Sequence, residues 1–157
     1  MFSARVTRPL SHARPPGIVV QGPSALSEFR RARLFDQLRR LEPALCSLHA
    51  RFVHFVSARE PLSGEELAKL ERLLAYVGPP LPLEPENAVA LVVTPRLGTQ
   101  SPWSSKATDI ARNCGLDTID RIERGTRWLL EGIDYEQLLR LEPCLHDRMT
   151  ESPHRTA

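Results

Sequence analysis

Helix-like and strand-like patterns alternate along this chain, and the alternation restricts its fold more than any other feature. Four segments have helical spacing or helix-capping patterns: 24–41, 61–77, 101–114 and 134–151. Strand patterns lie at 46–58, at 88–94 and at 118–132, where they predict either one bent strand or a pair of strands. These elements predict an α+β fold in which helices cover one face of a mainly antiparallel sheet.

Capping residues mark the expected starts of three helices. Ser24 is predicted to cap the first helix, since its hydroxyl can accept a free backbone N–H. Ser63 and Glu66 have the spacing of a capping box at the second. Ser101 followed by Pro102 is typical of the N-cap and first helical positions, and it predicts the start of the third.

The strand pattern at 46–58 alternates between two faces. Residues on one strand face are two apart, because successive side chains point to opposite sides. One predicted face carries Leu48, Ala50, Phe52 and His54, and the other carries His49, Arg51, Val53 and Phe55. The mixture of apolar and polar residues predicts a half-buried strand.

Composition favours a single soluble domain. The chain has 157 residues, of which 41% are hydrophobic and 25% are charged, as in ordinary globular proteins. No apolar run approaches the roughly 18 residues of a membrane helix, and a net charge of +2 is too small to indicate a nucleic-acid partner. Three widely spaced cysteines argue against a disulfide framework, so we expect a cytoplasmic protein without membrane or nucleic-acid partners.

The two ends of the chain differ in composition from the rest. Residues 1–17 contain arginines and prolines but no acidic residue. This fits a disordered extension, a misplaced start codon or a targeting segment. We favour disorder over residues 1–21 and 152–157, which leaves 22–151 as the expected domain.

The segment 93–115, "VTPRLGTQSPWSSKATDIARNCG", joins a predicted strand to a predicted helix. A helix start flanked by Arg96 and Lys106 and by several hydroxyls could hold an anion, because its first N–H groups have no partner within the helix. In the alternative interpretation the serines only cap the helix, and Trp103 packs against the domain. Chemistry alone favours this structural role.

The same segment carries a resemblance to a known family. "TPRLGTQSPWSSKATDIARNCGL", "IDRIERG" and "LHDRMTE", with "GPSALSEFR" and "HARFVHFV" upstream, follow one another in the order found in one enzyme domain. This is the N-terminal domain of formylglycinamide ribonucleotide amidotransferase, also called phosphoribosylformylglycinamidine synthase, of the large single-chain type. The chain resembles that domain from about Gly22 to Glu151.

The resemblance implies an enzyme of de novo purine biosynthesis. That family uses ATP and Mg²⁺ to activate formylglycinamide ribonucleotide, and ammonia released from glutamine then gives the amidine. The synthetase and glutaminase domains that perform this chemistry have no counterpart in the chain. We therefore expect an inactive fragment that binds neither cofactor and has these missing domains as partners.

The resemblance also implies a role for the 93–115 segment. The family's N-terminal domain resembles a fused pair of the small PurS partner subunits of the split enzyme, which implies an architectural role between glutaminase and synthetase. The segment is then expected to lie at an interface or near the substrate. The residues assigned to it are Arg96, Thr99, Ser101, Trp103, Ser104, Ser105, Lys106, Thr108 and Asp109. No residue is predicted to be catalytic or to bind a metal.

Two other functions remain open. One is a free-standing module that binds phosphate or a nucleotide at the helix start of Ser101. The other is an RNA-associated fragment that uses the basic helix containing "EFRRARLF" and "QLRR". Glu28, Asp36 and Glu42 interrupt this helix, so a solvated face is the favoured interpretation.

No catalytic motif or clear repeat adds to this interpretation. The chain has no GxxxxGK[ST] phosphate loop. Cys114 lies at a helix end where a thiolate is disfavoured, and we expect it to pack in the core. Segments 37–45 and 137–145 agree at seven of nine positions, which permits, without requiring, a PurS-like duplication.

Overall fold

The computed structural model describes residues 5–6, 17–75 and 85–155, in which it has four helices and six strands. The helices are α1 (Glu28–Leu41), α2 (Gly64–Leu74), α3 (Pro102–Asn113) and α4 (Tyr135–Leu145). The strands are β1 (Arg5–Val6), β2 (Ile18–Ser24), β3 (Ser47–Ala58), β4 (Val89–Pro95), β5 (Ile119–Glu131) and β6 (Glu151–Arg155). Their order in the sheet is β1-β2-β3-β5-β4-β6. The predicted α+β class with an antiparallel sheet is confirmed.

The C-terminal segment is part of the sheet. β6 pairs antiparallel with β4, so that Val92 lies opposite His154 and Pro95 lies opposite Glu151. The expectation that residues from 152 onward are disordered is therefore wrong for 152–155. The backbone of β4 supplies the hydrogen bonds that order this segment, which its own composition does not predict.

The start of the ordered domain also differs from the prediction. β2 begins at Ile18, so the expected disorder is wrong for residues 18–21. Val20 is buried in a hydrophobic cluster, which explains why this stretch is ordered. Residues 1–4, 7–16 and 156–157 lie outside the described part of the chain, so the prediction of disorder there is untested.

The described residues fall into two compact units, and each has its own core. The first unit contains residues 17–22, 53–75 and 99–124, and the second contains 23–52, 85–98 and 125–155. The core of the first consists of Val20, Val56, Leu70, Leu74, Ala111, Leu116, Ile119 and Ile122. The core of the second consists of Leu38, Leu45, Leu48, Ala50, Leu91, Val93, Trp128, Leu130, Ile133, Leu138, Leu141 and Leu145.

β3 contributes residues to the core of each unit. Leu48 and Ala50 belong to the core of the second unit and Val56 to that of the first, all at even positions. His54 is buried on this predicted face as well. Val53, on the opposite face, is also buried, so the half-buried pattern holds only in part.

The helix starts agree with the predicted caps at two of three sites. α1 begins after Ser27 rather than Ser24, whose hydroxyl instead donates to the carbonyl of Leu26 at 2.8 Å. Both serines have suitable side chains, and only the path of the chain separates them. Ser63 caps α2 through the predicted capping box, and Ser101 caps α3.

Two predicted helices extend too far along the chain, because α2 ends at Leu74 and α4 ends at Leu145. Of the two alternatives for 118–132, the structure has a single strand, β5, rather than a pair. The proline-rich residues 76–84 lie outside the described ranges. The similar segments 37–45 and 137–145 both belong to the second unit, and duplication stays a prediction. None of the helices in the described ranges is long and apolar enough to span a membrane.

Gly132, directly after β5, is a position where we expect any side chain to be costly. Its φ is +84°, and a Cβ there would lie 2.6 Å from the Sγ of Cys46 and closer still to the carbonyl oxygen of Ala44. Gly98 has a φ of +83° but nothing within 4 Å of its Cβ position. Substitutions at the two glycines can therefore be compared to separate the cost of backbone strain from the cost of steric overlap.

Gly98→Ala should lower the free energy of unfolding by about 1 to 2 kcal/mol, the cost of a positive φ. Gly132→Ala should cost about 1 to 3 kcal/mol more, because Ala44 and Cys46 must also move. Urea unfolding followed by circular dichroism measures both. Equal losses in the two variants would show that the neighbours of Gly132 yield without cost.

Candidate functional site

Two buried hydroxyls attach α3 to β5. The Ser104 hydroxyl donates to the carbonyl of Ile122 at 2.6 Å. The Thr108 hydroxyl accepts the Ile122 N–H at 3.0 Å and donates to the carbonyl of Ser104 at 2.8 Å. Ser104 is 0% and Thr108 3% exposed. These two members of the predicted site therefore satisfy backbone groups of the chain itself.

Arg112 continues this attachment one turn further along α3. Its Nε donates to the carbonyl of Ile119 at 3.1 Å, and its Nη2 donates to that of Asp120 at 3.0 Å. Ser104, Thr108 and Arg112 are four residues apart and so line one side of the helix. We call these three residues the α3 ladder. It fixes the position and rotation of α3 against β5.

The start of α3 is joined to a partly buried carboxylate. The Ser101 hydroxyl accepts the Ser104 N–H at 3.0 Å and donates to Glu123 at 2.8 Å. Arg121 lies 2.7 Å from Glu123 and donates to the carbonyl of Thr99 at 2.7 Å. Burial opposes ionisation of Glu123, but the hydrogen bonds from Arg121 and Ser101 outweigh it and lower the pKa of that carboxyl.

This carboxylate bears on the anion hypothesis. Glu123 already accepts hydrogen bonds beside the helix start, and a second anion there would be repelled. The guanidinium of Arg96, a proposed ligand, donates instead to the carbonyl of Met149 at 3.4 Å. The cation that hydrogen bonds connect to the helix start is Arg121, which the sequence did not indicate. The carboxylate of Glu123 therefore disfavours an anion at the start of α3.

Trp103 packs within its own unit. Its ring stacks on His54, with the ring centroids 5.6 Å apart and an angle of 29° between the planes. The guanidinium of Arg124 lies 4.6 Å from the ring centroid of Trp103, within the distance of a cation–π interaction. Trp103 is half-buried. These two contacts agree with the structural interpretation of Trp103, in which it packs against the domain.

His54 supports the tryptophan from beneath. It is fully buried, and its Nδ1 lies 3.2 Å from the carbonyl oxygen of Val20. Burial lowers the pKa of His54 from 6.5 to about 4, and the nearby charge of Arg124 contributes in the same direction, against the hydrogen bond to Val20. The imidazole is therefore neutral at physiological pH.

A shallow apolar groove opens beside Trp103 between α2 and α3. Its volume is about 150 Å³. Leu73 and Ile110 at its edge are 36% and 46% exposed. The lining residues are Leu73, Leu74, Trp103, Lys106, Ala107, Ile110, Ala111 and Ile122. Lys106 is thus the polar residue at the edge of an otherwise hydrophobic surface.

Six of the predicted site residues divide into two groups on α3. Ser101, Ser104 and Thr108 are used in holding α3, whereas Ser105, Lys106 and Asp109 are exposed on its outer side. Thr99 is exposed too, although its carbonyl accepts from Arg121. The second group forms the part of α3 available to another molecule.

Sequence reasoning missed Glu123, Arg121 and Arg124 as members of this site. "DRIERG" predicted ion pairs on the surface of a strand, and Arg121 does pair with Glu123. Nothing in the sequence showed that these residues face a helix start 22 positions earlier. The expected burial of Cys114 is wrong, because it is the exposed C-cap of α3. Within the described ranges, no three His, Cys, Asp or Glu side chains are grouped to hold a metal.

Comparison with protein families identifies the relatives of this chain. The model of the formylglycinamide ribonucleotide amidotransferase N-terminal domain matches residues 51–157, more than two thirds of the sequence. The chain belongs to this family. The match includes the whole 93–115 segment, which confirms the resemblance drawn from it. The resemblance of residues 22–50 stays a prediction, since they precede the matched range.

Membership in the family gives the chain its biochemical setting. It corresponds to the N-terminal region of an amidotransferase of purine biosynthesis. That region belongs to a multidomain enzyme, so other domains of the same enzyme are its expected neighbours. The α3 ladder and the exposed residues beside it lie inside the matched range.

Thr108→Val tests the ladder. The substitution keeps the shape of the side chain but leaves the buried Ile122 N–H without its acceptor, so the free energy of unfolding should fall by about 1 to 3 kcal/mol. Ser105→Ala, on the exposed side of the same helix, should change it by less than about 0.5 kcal/mol. Urea unfolding of both variants gives the comparison. Equal stability of Thr108→Val and the unmodified chain would contradict the role of this hydroxyl.

His54 predicts a dependence of stability on pH. The unfolded chain binds a proton at this residue near pH 6.5, but the folded chain binds it only near pH 4. Stability from this group is therefore complete above pH 6.5 and is lost as the pH falls towards 4, by about 3 kcal/mol in total. His54→Phe retains a ring against Trp103 and should show a shallower loss between pH 7 and pH 5. Parallel pH profiles for the two proteins would rule this mechanism out.

Proposed function

We propose that this chain is the N-terminal assembly and coupling domain of formylglycinamide ribonucleotide amidotransferase. In the complete enzyme, formylglycinamide ribonucleotide, glutamine and ATP are converted to formylglycinamidine ribonucleotide. The family match over residues 51–157 is the observation that carries this proposal. It includes the segment whose residues we assign to coupling.

Catalysis belongs, in this proposal, to other domains of the enzyme. ATP and Mg²⁺ are bound by the synthetase domain, and glutamine is hydrolysed by the glutaminase domain. This chain supplies a rigid surface that keeps the two in register, so that ammonia reaches the activated substrate. Purified by itself, it should neither hydrolyse glutamine nor form the amidine.

The geometry of α3 supports such a role. The α3 ladder makes hydrogen bonds to four backbone groups of β5: the N–H and carbonyl of Ile122 and the carbonyls of Ile119 and Asp120. These bonds hold the helix rigid. The opposite side of α3 exposes Lys106 and Asp109, which take part in no ion pair among the described residues. A rigid helix with unpaired surface charges is suited to docking, because little conformational entropy is lost on binding.

Trp103 is a poor probe of this interface. Trp103 is among the residues expected at an interface or near the substrate, and this stays a prediction. Its ring already contacts His54 and Arg124, so that Trp103→Ala would disturb the unit itself. Lys106 is the better choice, since its charge is exposed and its removal leaves no buried group unpaired.

Lys106→Glu in a complete amidotransferase carrying this domain should lower glutamine-dependent synthesis by about tenfold. Synthesis driven by free ammonia should change by less than about twofold, because it bypasses the transfer between domains. Arg72→Glu on α2 is the control, as it reverses another exposed cation in the same unit. An equal loss of both activities would make the helix a substrate or folding element. No loss in either would make it a solvated surface.

A further inference from the structure

The outer side of α1 carries an unusual set of exposed residues. Phe29 is 76% exposed although the helix buries Leu38 completely. At 3.6 residues per turn, one arc of roughly 60° on the side opposite Leu38 contains Phe29, Arg33, Asp36 and Arg40. Arginines at two further positions flank this line. The α1 arginine face consists of Phe29, Arg30, Arg33, Asp36, Arg39 and Arg40, all exposed.

The acidic residues of α1 do not neutralise this face. Glu28 pairs with Arg31 in the first turn. Glu42, which ends the helix, is buried and pairs with Arg140 of α4 at 2.7 Å. Only Asp36 remains beside four exposed arginines. In the described ranges none of those four arginines forms an ion pair.

This finding changes the interpretation of the basic helix. Counted along the sequence, five arginines are interrupted by three acidic residues, which suggests a basic but solvated surface. In the fold, Glu28 and Glu42 are occupied elsewhere, and the face has an excess of three positive charges. Four arginines without an ion pair among the described residues repel one another, although Arg39 also lies 5.8 Å from the ring centroid of Phe35, and a negative partner relieves this repulsion.

We infer that the α1 arginine face docks onto an acidic surface of another domain of the amidotransferase. Phe29 enters an apolar depression there, and Arg33 and Arg40 meet carboxylates on either side of it. An exposed aromatic residue among arginines is the composition of an interface centre. This inference rests on the proposed function, since it supposes that the chain assembles with the rest of that enzyme.

A protein surface fits this face better than RNA. The chain has a net charge of only +2, and the basic residues form one helical line rather than a broad field. Phe29 is a single aromatic residue, whereas binding of unpaired bases uses several stacking platforms. α1 also lies in the second unit and outside the family match, while α3 lies in the first unit and within it. The two proposed contacts are therefore separable by mutation.

The test is calorimetric titration of the full chain against the synthetase and glutaminase portion of a family member that lacks its N-terminal domain. Arg33→Glu with Arg40→Glu should weaken binding at least about tenfold. Arg72→Glu with Arg148→Glu changes the net charge equally at exposed sites outside α1, and should stay within about threefold. Affinity of the unmodified chain should fall between about 50 and about 300 mM salt.

Further variants separate charge from shape and from folding. Arg33→Lys with Arg40→Lys keeps the charge and should retain most of the affinity. Phe29→Ser should weaken binding about tenfold with an unchanged salt dependence, because it removes only apolar area. Arg33→Gln with Arg40→Gln replaces the double reversal if that variant has a lowered melting temperature. Loss of glutamine-dependent synthesis in Lys106→Glu tests the coupling role, and loss of binding in Arg33→Glu with Arg40→Glu tests the α1 contact, so that a failed coupling role and a failed α1 contact are told apart.

Three results would overturn the inference. Equal affinity of the charge-reversed and unmodified chains would show that the face is not in the contact. Binding to a single-stranded RNA of 20 nucleotides, but not to the enzyme domains, would assign the face to nucleic acid, with a steep salt dependence. Binding to neither would leave it a solvated surface.

Discussion

The contact between α3 and the backbone of β5 is the constraint on which the site depends. β4 pairs with β5 from Thr126 to Leu130, and around Ile122 the side chains of α3 satisfy the backbone instead. An open strand edge invites unwanted pairing, and a helix with hydroxyls turned inward closes it. The serines and threonine that make the 93–115 segment look like an anion site are thus explained in part by the edge that they cover.

The same contact determines which residues remain for function. Because Ser104 and Thr108 face β5, the residues beside them in sequence, Ser105 and Asp109, are turned to the outside. Trp103 lies over His54 near the start of the helix. The buried, neutral His54 and the half-buried Trp103 thus pack beneath the helix that carries the exposed charges. The same contacts between α3 and β5 stabilise the unit and orient the outer side of α3. Mutations on the inner side of α3 should therefore change stability, and mutations on its outer side should change function.

Local chemistry predicted the elements well, and tertiary contacts determined the rest. Ser101 capped α3 as predicted because its hydroxyl and the following Pro102 favour a helix start locally, whereas the choice between Ser24 and Ser27 at α1 depended on the path of the chain. β6 was missed because its order comes from pairing with β4, far away in sequence. Glu123 was missed for the same reason, since its hydrogen bond with Ser101 spans 22 positions. The family resemblance was accessible because it depends on sequence alone.

The acidic residues of α1 show which properties of a helix surface the sequence alone does not reveal. Glu28, Asp36 and Glu42 are equally acidic in the sequence, but they differ in what they contact. Glu42 is buried and pairs with Arg140, which joins the end of α1 to α4. The negative charge of Glu42 therefore does not offset the arginines on the outer side of α1. A buried carboxylate needs its partner to offset desolvation, so its charge is unavailable to the surface. The fold therefore increases the basic character that α1 already has in the sequence, because the interaction that holds α1 in place occupies one of its acidic residues.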